Sequence, residues 1–200
     1  ETLIGTNAYK LYSTGDVNKD YFQMFQTPTA NTDETILAYS FAPGKYHHYT
    51  SRYTVPSLGQ YCATRTLMES YFMADGRTFG QAYPDASVRE TMTFAQEIAN
   101  RDPRIAQTYV VPGYVRPGGT AESVCANFAQ ALTGYQITKR VGNVNEADQG
   151  DGRDVIMIRY AEVLLNYAEA KAELGQLSQD IVRFGIEVSQ SDLAGLGQLR

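Results

Sequence analysis

Several residue types are scarce or missing, and each shortage excludes a class of site. The 200 residues contain no Trp, two Cys and two His. Cys62 and Cys125 lie far apart and form no C-x-x-C pair, and the sequence leaves open whether they are two thiols or one disulfide. His47 and His48 are adjacent, so their side chains point differently on most backbones, and no further metal ligands stand out. We therefore predict no metal and no cofactor.

Positive charge is limited as well. Lys and Arg number 17 against 22 Asp and Glu, the net charge is −5, and no basic cluster occurs. Nucleic-acid binding depends on basic side chains that neutralise phosphates, so we expect no nucleic-acid partner. No apolar run approaches the roughly 18 residues that indicate a membrane-spanning helix. With 43% hydrophobic and 20% charged residues, the composition is typical of a globular protein, and we predict one domain over residues 1–200.

Motifs of catalysis are missing too. The sequence has no G-x-S-x-G elbow, no phosphate-binding loop and no dinucleotide fingerprint. The stretch "DQGDGRD" with Asp148, Asp151 and Asp154 resembles a calcium loop. Counted from Asp148, however, two of the required ligand positions are glycines and the last is Arg159, none of which supplies a side-chain oxygen. We predict that the protein is not an enzyme.

The most regular segment is "RYAEVLLNYAEAKAELG", residues 159–175, which predicts an amphipathic helix ended by Gly175 with positive φ. Its apolar stripe consists of Met157, Ala161, Leu164, Leu165, Ala168 and Ala172. Three glutamates, Glu162, Glu169 and Glu173, lie away from the stripe and indicate a solvated face rather than a catalytic pair. Since alanines allow close approach, we expect this helix to pack on another helix.

The other elements are predicted to be short. A helix is expected around Tyr21 to Phe25, a second in "TRTLMESYFMADGR", and a third over residues 87–100, where Ser87 and Glu90 form a capping-box pattern. Residues 36–41 and 109–119 look β-like, and residues 142–152 look like a polar loop.

Residues 44–61, "GKYHHYTSRYTVPSLGQY", show no helical or strand period and predict a long loop, a kind of segment that is often functional. Six of its side chains combine flat rings with hydrogen-bonding groups: Tyr46, His47, His48, Tyr49, Arg52 and Tyr53. Aromatic stacking together with hydrogen bonds to hydroxyls is how proteins hold sugar rings, so we predict a glycan-binding site here. The alternative is that the three tyrosines only anchor the loop in the core.

Four motifs together resemble one protein family. They are "LMESYFMADGR" (67–77), "NRDPRI" (100–105), "TGYQITKR" (133–140) and the helix at 159–175, and "DYFQMFQ…NTDETILAYSF" extends the match towards the start. In this order they resemble the SusD/RagB family, the glycan-binding surface lipoproteins of the Bacteroidetes outer membrane. The resemblance implies a mainly α fold, in which tetratricopeptide-type helices carry an irregular, loop-rich region and a few short β-strands.

The resemblance also implies a function. Family members are non-catalytic, bind an oligosaccharide or another nutrient, and work with a SusC-like TonB-dependent transporter at the surface of the outer membrane. Membrane attachment is expected only through an N-terminal lipid anchor, and the lipidated cysteine is not among these residues. The alternative is a helical-repeat interaction protein that binds the transporter or a peptide rather than sugar.

The chain also departs from the family pattern. Family members are typically far longer, and here "GQLSQ" runs directly into "DIVRFG" where the family continues with a further helix. We therefore expect a partial domain, with a segment missing near Gln179 and Asp180.

Overall fold

The computed structural model describes residues 2–42, 44–146, 150–176 and 178. Within these residues the chain forms nine mostly short helices and one two-stranded sheet, which confirms the predicted mainly α fold with a few short strands. In chain order the elements are α1 (Thr2–Gly5), α2 (Asp20–Met24), β1 (Thr35–Tyr39), α3 (Thr50–Thr54), α4 (Arg65–Ser70), α5 (Phe79–Ala82), α6 (Ala86–Thr91), α7 (Phe94–Glu97), α8 (Arg104–Thr108), β2 (Val155–Arg159) and α9 (Tyr160–Glu173). The predicted break near Gln179 and Asp180 lies outside the described residues.

The sheet joins the two ends of the described chain. Strands β1 and β2 are antiparallel, with Thr35 opposite Arg159 and an irregular register between the ends of the ladder. An ion pair fixes this end of the sheet, because Arg159 Nη1 lies 2.9 Å from Glu34 Oε1. The second oxygen of Glu34 accepts from the backbone N–H of Tyr12 at 2.7 Å. The predicted β-like run at 36–41 is thus confirmed as a strand, slightly displaced.

Helix α9 confirms the most regular prediction. Gly175 follows it with φ +65°, and its N–H donates to the carbonyl oxygen of Ala172 at 2.9 Å, as a glycine at a helix C-terminus does. The three glutamates of this segment are exposed, as expected of a solvated face. Among the described residues, the helix packs its first turn on the N-terminal segment and on Ile36 of β1 rather than on a long helix. The tetratricopeptide pairing therefore stays a prediction.

The predicted apolar stripe is too long. Only Tyr160, Ala161 and Leu164 are buried in α9, whereas Leu165 is 48% exposed. Met157 does not belong to the helix, because β2 runs directly into α9 and places this residue, 50% exposed, on the strand.

The predicted single helix at 87–100 is wrong. Two helices occupy the segment, α6 and α7, with Met92 in an extended conformation between them. Asp85, not Ser87, caps α6 by accepting from the N–H of Ser87, and Thr93 forms a capping box with Gln96 at the start of α7. Each cap starts a helix at its own position, and this divides the segment.

A hydrophobic core lies around α4 and α8. Its buried members are Ala63, Met68, Ile105, Tyr109 and Val111. The predicted β-like run at 109–119 crosses this core with isolated pairings, Tyr109 to Ile137 and Val115 to Glu122, rather than as a continuous strand.

An arginine of the "NRDPR" motif supplies hydrogen-bond donors to the C-terminal end of helix α4. Arg101 is buried, and its guanidinium donates to the carbonyl oxygens of Met68 and, at 2.7 Å, Tyr71. These carbonyls lie at the C-terminal end of α4, where a helix has no partners of its own. The guanidinium also stacks 4.3 Å above the ring of Phe79. Burial lowers the pKa of Arg101, and the neighbouring Glu97 and Asp102 partly offset this.

Replacing Arg101 with Met should destabilise the fold, because two buried carbonyl oxygens lose their donor. Each buried acceptor left without a partner costs about 1–3 kcal/mol, so we expect a loss of this order in the free energy of unfolding, measured in urea. Arg77→Met is the matched control, since Arg77 is exposed and pairs with Asp75 at the surface. Equal losses in the two variants would contradict this account of Arg101.

Candidate functional site

The predicted loop at 44–61 is only partly irregular. Its second half contains the short helix α3, which the sequence period did not reveal. Its first half is tied to a distant part of the chain, because the backbones of His48 and Asp151 form an isolated bridge. The N–H of His48 donates to the carbonyl of Asp151 at 3.0 Å, and the N–H of Asp151 donates back at 2.9 Å. Asp151, from the predicted polar loop at 142–152, is therefore a partner of this loop.

His48 holds the loop in place through both of its ring nitrogens. Nδ1 accepts from the backbone N–H of Thr50 at 3.2 Å, and Nε2 lies 2.9 Å from the carbonyl oxygen of Arg153. Because a backbone N–H can only donate and a carbonyl can only accept, these contacts assign the proton to Nε2 of a neutral ring. Phe41 packs edge-on against the ring at 4.8 Å. His48 thus links the loop to the residues before β2.

A buried ion-pair network lies beneath the loop. Arg153 Nη1 lies 2.9 Å from Asp151 Oδ1, and the hydroxyl of Ser51 in α3 donates to the other oxygen of this carboxylate. Arg153 also pairs with Glu146 and donates through Nε to the carbonyl of Gln26 at 3.1 Å. Burial lowers the pKa of Arg153, and the nearby Arg116 adds to this. The network joins α2, α3 and the segment before β2.

Three aromatic side chains are presented outward by this frame. Tyr46 is 77% exposed and Tyr49 47% exposed, so neither is a core anchor. The ring of His47 meets that of Tyr49 edge-on at 5.4 Å, with Nε2 3.3 Å from the tyrosine hydroxyl. Gly150 lies beneath His47, since a Cβ at Gly150 would be 3.5 Å from the imidazole. We call Tyr46, His47 and Tyr49 the aromatic surface.

The remaining predicted residues lie deeper. Arg52 and Tyr53 belong to α3 and are half-buried. Tyr53 stacks on Tyr61 with ring centroids 5.1 Å apart and an angle of 32°. Tyr61, 50% exposed, was not among the predicted site residues, although its place at the end of the same tyrosine-rich segment was a signal for it. The structure thus divides the six residues into an exposed group and a supporting group.

A cleft of about 450 Å³ opens beside the aromatic surface. Its lining residues are Pro28, Thr29, Phe41, Glu146, Gly150, Asp151, Gly152, Arg153 and Asp154. The carboxylate of Asp154 is already bonded, because it accepts from the backbone N–H groups of Ala30 at 2.9 Å and Phe41 at 3.3 Å. In the calcium-like stretch, Asp151 and Arg153 therefore brace the loop and Asp154 fixes residues before it, while Asp148 lies outside the described residues.

Metal and thiol chemistry have few candidates here. In the part of the chain that the structure describes, no three His, Cys, Asp or Glu side chains come together as a metal site would require. Cys62 and Cys125 are free thiols, both half-buried. Hydrogen bonds to Cys62, first from the side chain of Thr133 and then from its backbone, lower the pKa of this thiol.

The comparisons with known proteins decide the family. The sequence model of the SusD family matches residues 22–184. The chain belongs to the SusD family. No curated protein matches it. Over the described residues, no helix is both long enough and apolar enough to cross a membrane.

Solved structures agree with this SusD fold. One is a SusD-like protein from Bacteroides fragilis NCTC 9343, with TM-score 0.67 and 20% identity; the match covers 100% of this chain and 44% of that one. Another, from the same strain, is a SusD-like carbohydrate binding protein, with TM-score 0.65, 19% identity and coverage of 100% and 41%. At this identity the likeness concerns the fold alone. The chain spans less than half the length of either structure.

Replacing His48 with Ala should loosen the loop of this SusD family member. The amide of Thr50 would lose its acceptor and the link to Arg153 would be broken, so we expect faster hydrogen exchange at Thr50 by NMR. His47→Ala is the matched control, since His47 is exposed and should leave that exchange unchanged. An unaltered rate in His48→Ala would show that the histidine does not fasten the loop.

Proposed function

We propose that this protein binds glycans without acting on them, and that the aromatic surface of Tyr46, His47 and Tyr49 contacts the sugar. The observation that carries the proposal is that these exposed rings stand on a loop fixed by His48 and the network of Ser51, Asp151 and Arg153. Rings that are already ordered lose little conformational freedom when a ligand arrives, so more of the contact energy appears as affinity.

The chemistry of the surface suits a sugar ring. A tyrosine face can stack on the C–H face of a pyranose, while the hydroxyl of Tyr49 and the ring nitrogens of His47 can bond to sugar hydroxyls. Arg52 and Tyr53 follow this surface in α3 and are half-buried. The adjoining cleft adds Glu146, a carboxylate that can accept from hydroxyls, at its rim.

A non-catalytic role fits the carboxylates of the cleft. Glycosidases use two carboxyl groups that face each other across the scissile bond, one as an acid and one as a base or nucleophile. Here Asp151 is paired with Arg153 and Ser51, and Asp154 accepts from two backbone amides. Asp151 and Asp154 are therefore already engaged in bonds within the chain, which supports binding rather than hydrolysis.

The family extends the proposal to a transport complex. Membership of the SusD family, and a relative described as a carbohydrate binding protein, support an oligosaccharide or another nutrient as ligand. We infer that the whole protein is a lipid-anchored, surface-exposed component of the outer membrane that delivers its ligand to a SusC-like TonB-dependent transporter.

In a second candidate function, this protein binds the transporter or a peptide in place of a sugar. One segment favours it: residues 123–138 carry no charge, and Val124, Phe128 and Leu132 are 71%, 66% and 90% exposed. Clustered exposed apolar side chains are typical of protein interaction sites. This apolar segment and the aromatic surface could also serve the two steps of one process, docking and ligand capture.

Truncating the aromatic surface should weaken sugar binding. For Tyr46→Ala and Tyr49→Ala we expect about a tenfold loss of affinity, roughly 1.4 kcal/mol, for whichever neutral oligosaccharide binds in calorimetric titration against maltohexaose, cellohexaose, xylohexaose and mannohexaose. Phe128→Ala, which removes an exposed ring from the apolar segment, is the control and should bind normally.

Three outcomes would contradict the proposal. Unchanged affinity in both tyrosine variants would refute the site. Loss of transporter binding in Phe128→Ala, without any sugar response of the unaltered chain, would favour the second candidate. New reducing ends after incubation with a polysaccharide would show that the protein is an enzyme.

A further inference from the structure

A second cavity lies on another part of the molecule, between α2, α8 and residues 111–117. Its volume is about 570 Å³, larger than that of the cleft beside the aromatic surface. It is lined by Asn18, Lys19, Phe22, Gln23, Gln26, Ala106, Gln107, Val111, Pro112, Gly113, Tyr114, Val115 and Pro117. We call it the α2–α8 groove. Its volume falls within the range of about 300–1,000 Å³ that is typical of small-molecule sites.

The groove is separate from the candidate glycan site. The two cavities share no lining residue. One lining residue of each is linked to the other, because the backbone carbonyl of Gln26 accepts from Arg153 at 3.1 Å. A ligand in the groove would therefore touch neither Tyr46 nor Tyr49.

The side-chain amide of Gln107 links walls of the groove. Gln107 of α8 is buried, and its Nε2 donates to the carbonyl of Val17 at 3.1 Å. Its Oε1 accepts from the N–H of Phe22 at 3.2 Å. Because these bonds join α8 to the start of α2 and the turn before it, two of the three walls of the groove are fixed relative to each other.

The lining combines apolar surface with amides. Apolar contact comes from the ring of Phe22 and from Val111, Val115 and two prolines, and amides come from Asn18, Gln23 and Gln26. A carboxamide both donates and accepts, as a sugar hydroxyl does. Among the lining residues, all of them in the described part, Lys19 alone is charged, and its Nζ lies 2.8 Å from Asp16.

One lining amide has an unmet hydrogen bond. The side-chain nitrogen of Gln26 is buried, and it has no partner among the described residues. Buried polar groups in proteins are nearly always bonded, so such an exception calls for an acceptor. Because Gln26 also lines the groove, a ligand oxygen there is a candidate acceptor.

We propose that the α2–α8 groove is a second binding site for a neutral oligosaccharide, with a sugar ring on Phe22 and hydroxyls bonded to the amides of Asn18, Gln23 and Gln26. The ligand class rests on the proposed function, whereas the site does not. An acidic sugar is disfavoured, because the one lining cation is already paired and the protein carries a net charge of −5. Two sites would let one chain hold a long glycan at separate points.

The test is an NMR titration of the whole chain with maltohexaose, cellohexaose, xylohexaose and mannohexaose, with oligogalacturonate as the acidic comparison. We expect saturable shifts of the side-chain amides of Gln23 and Gln26 and of the backbone amide of Gly113 with a neutral sugar. In Phe22→Ala and Gln23→Ala, the affinity obtained from these shifts should fall about tenfold. The shifts at Tyr46 and Tyr49 should be unchanged. Tyr49→Ala should do the reverse.

Phe72→Ala is the matched control, since Phe72 is exposed and does not line the groove. If Phe22→Ala does not fold, Gln23→Ala decides. Shifts at the tyrosines alone, or groove binding weaker than about 10 mM, would overturn the second site and leave the proposed function intact. No binding at either place would overturn both. Equal groove binding of oligogalacturonate would overturn the assignment to neutral sugars.

Discussion

The candidate site depends on the ion pairs and hydrogen bonds made by the buried guanidinium of Arg153. It pairs with Asp151, which also holds Ser51 of α3, and it bonds to the carbonyl of Gln26 after α2. The carbonyl of the same arginine anchors His48. A buried charge whose partner is removed costs about 3–5 kcal/mol, so the members of this network require one another. The segments that carry the aromatic surface and the α2–α8 groove are therefore fixed to one frame.

The strongest helix could be predicted because it depends on local signals, whereas the mainly α fold class was implied by the resemblance of four motifs to the SusD/RagB family. Helix α9 follows from its 3.6-residue period, and its end follows from a glycine that can adopt positive φ. The prediction for residues 87–100 failed where two local signals competed, since Asp85 and Thr93 each cap a helix of their own. Burial was the least predictable property. The sequence did not show that β2 ends where α9 begins. Met157 therefore lies on the strand and not in the apolar stripe of the helix.

For the candidate site, the sequence indicated which side chains to consider but not the structural role of each. A tyrosine-rich segment without a clear period indicated a binding loop. His47 and His48 are adjacent in this segment, yet His47 belongs to the exposed aromatic surface and His48 holds the loop in place. Their roles are decided by Arg153, which is 105 positions from His48 in the chain, and no local pattern carries that information. The same holds for the α2–α8 groove, because Phe22 and Val115, distant in the chain, line one cavity only in the folded protein.

The central claim is that a rigid frame presents Tyr46 and Tyr49 to a sugar. A crystal structure of the protein with a bound neutral oligosaccharide tests this most directly. The account predicts a pyranose ring stacked on one of these tyrosines, with His48 still bonded to Thr50 and Arg153. A sugar bound away from both tyrosines, or a loop that has detached from His48 to reach it, would contradict the account.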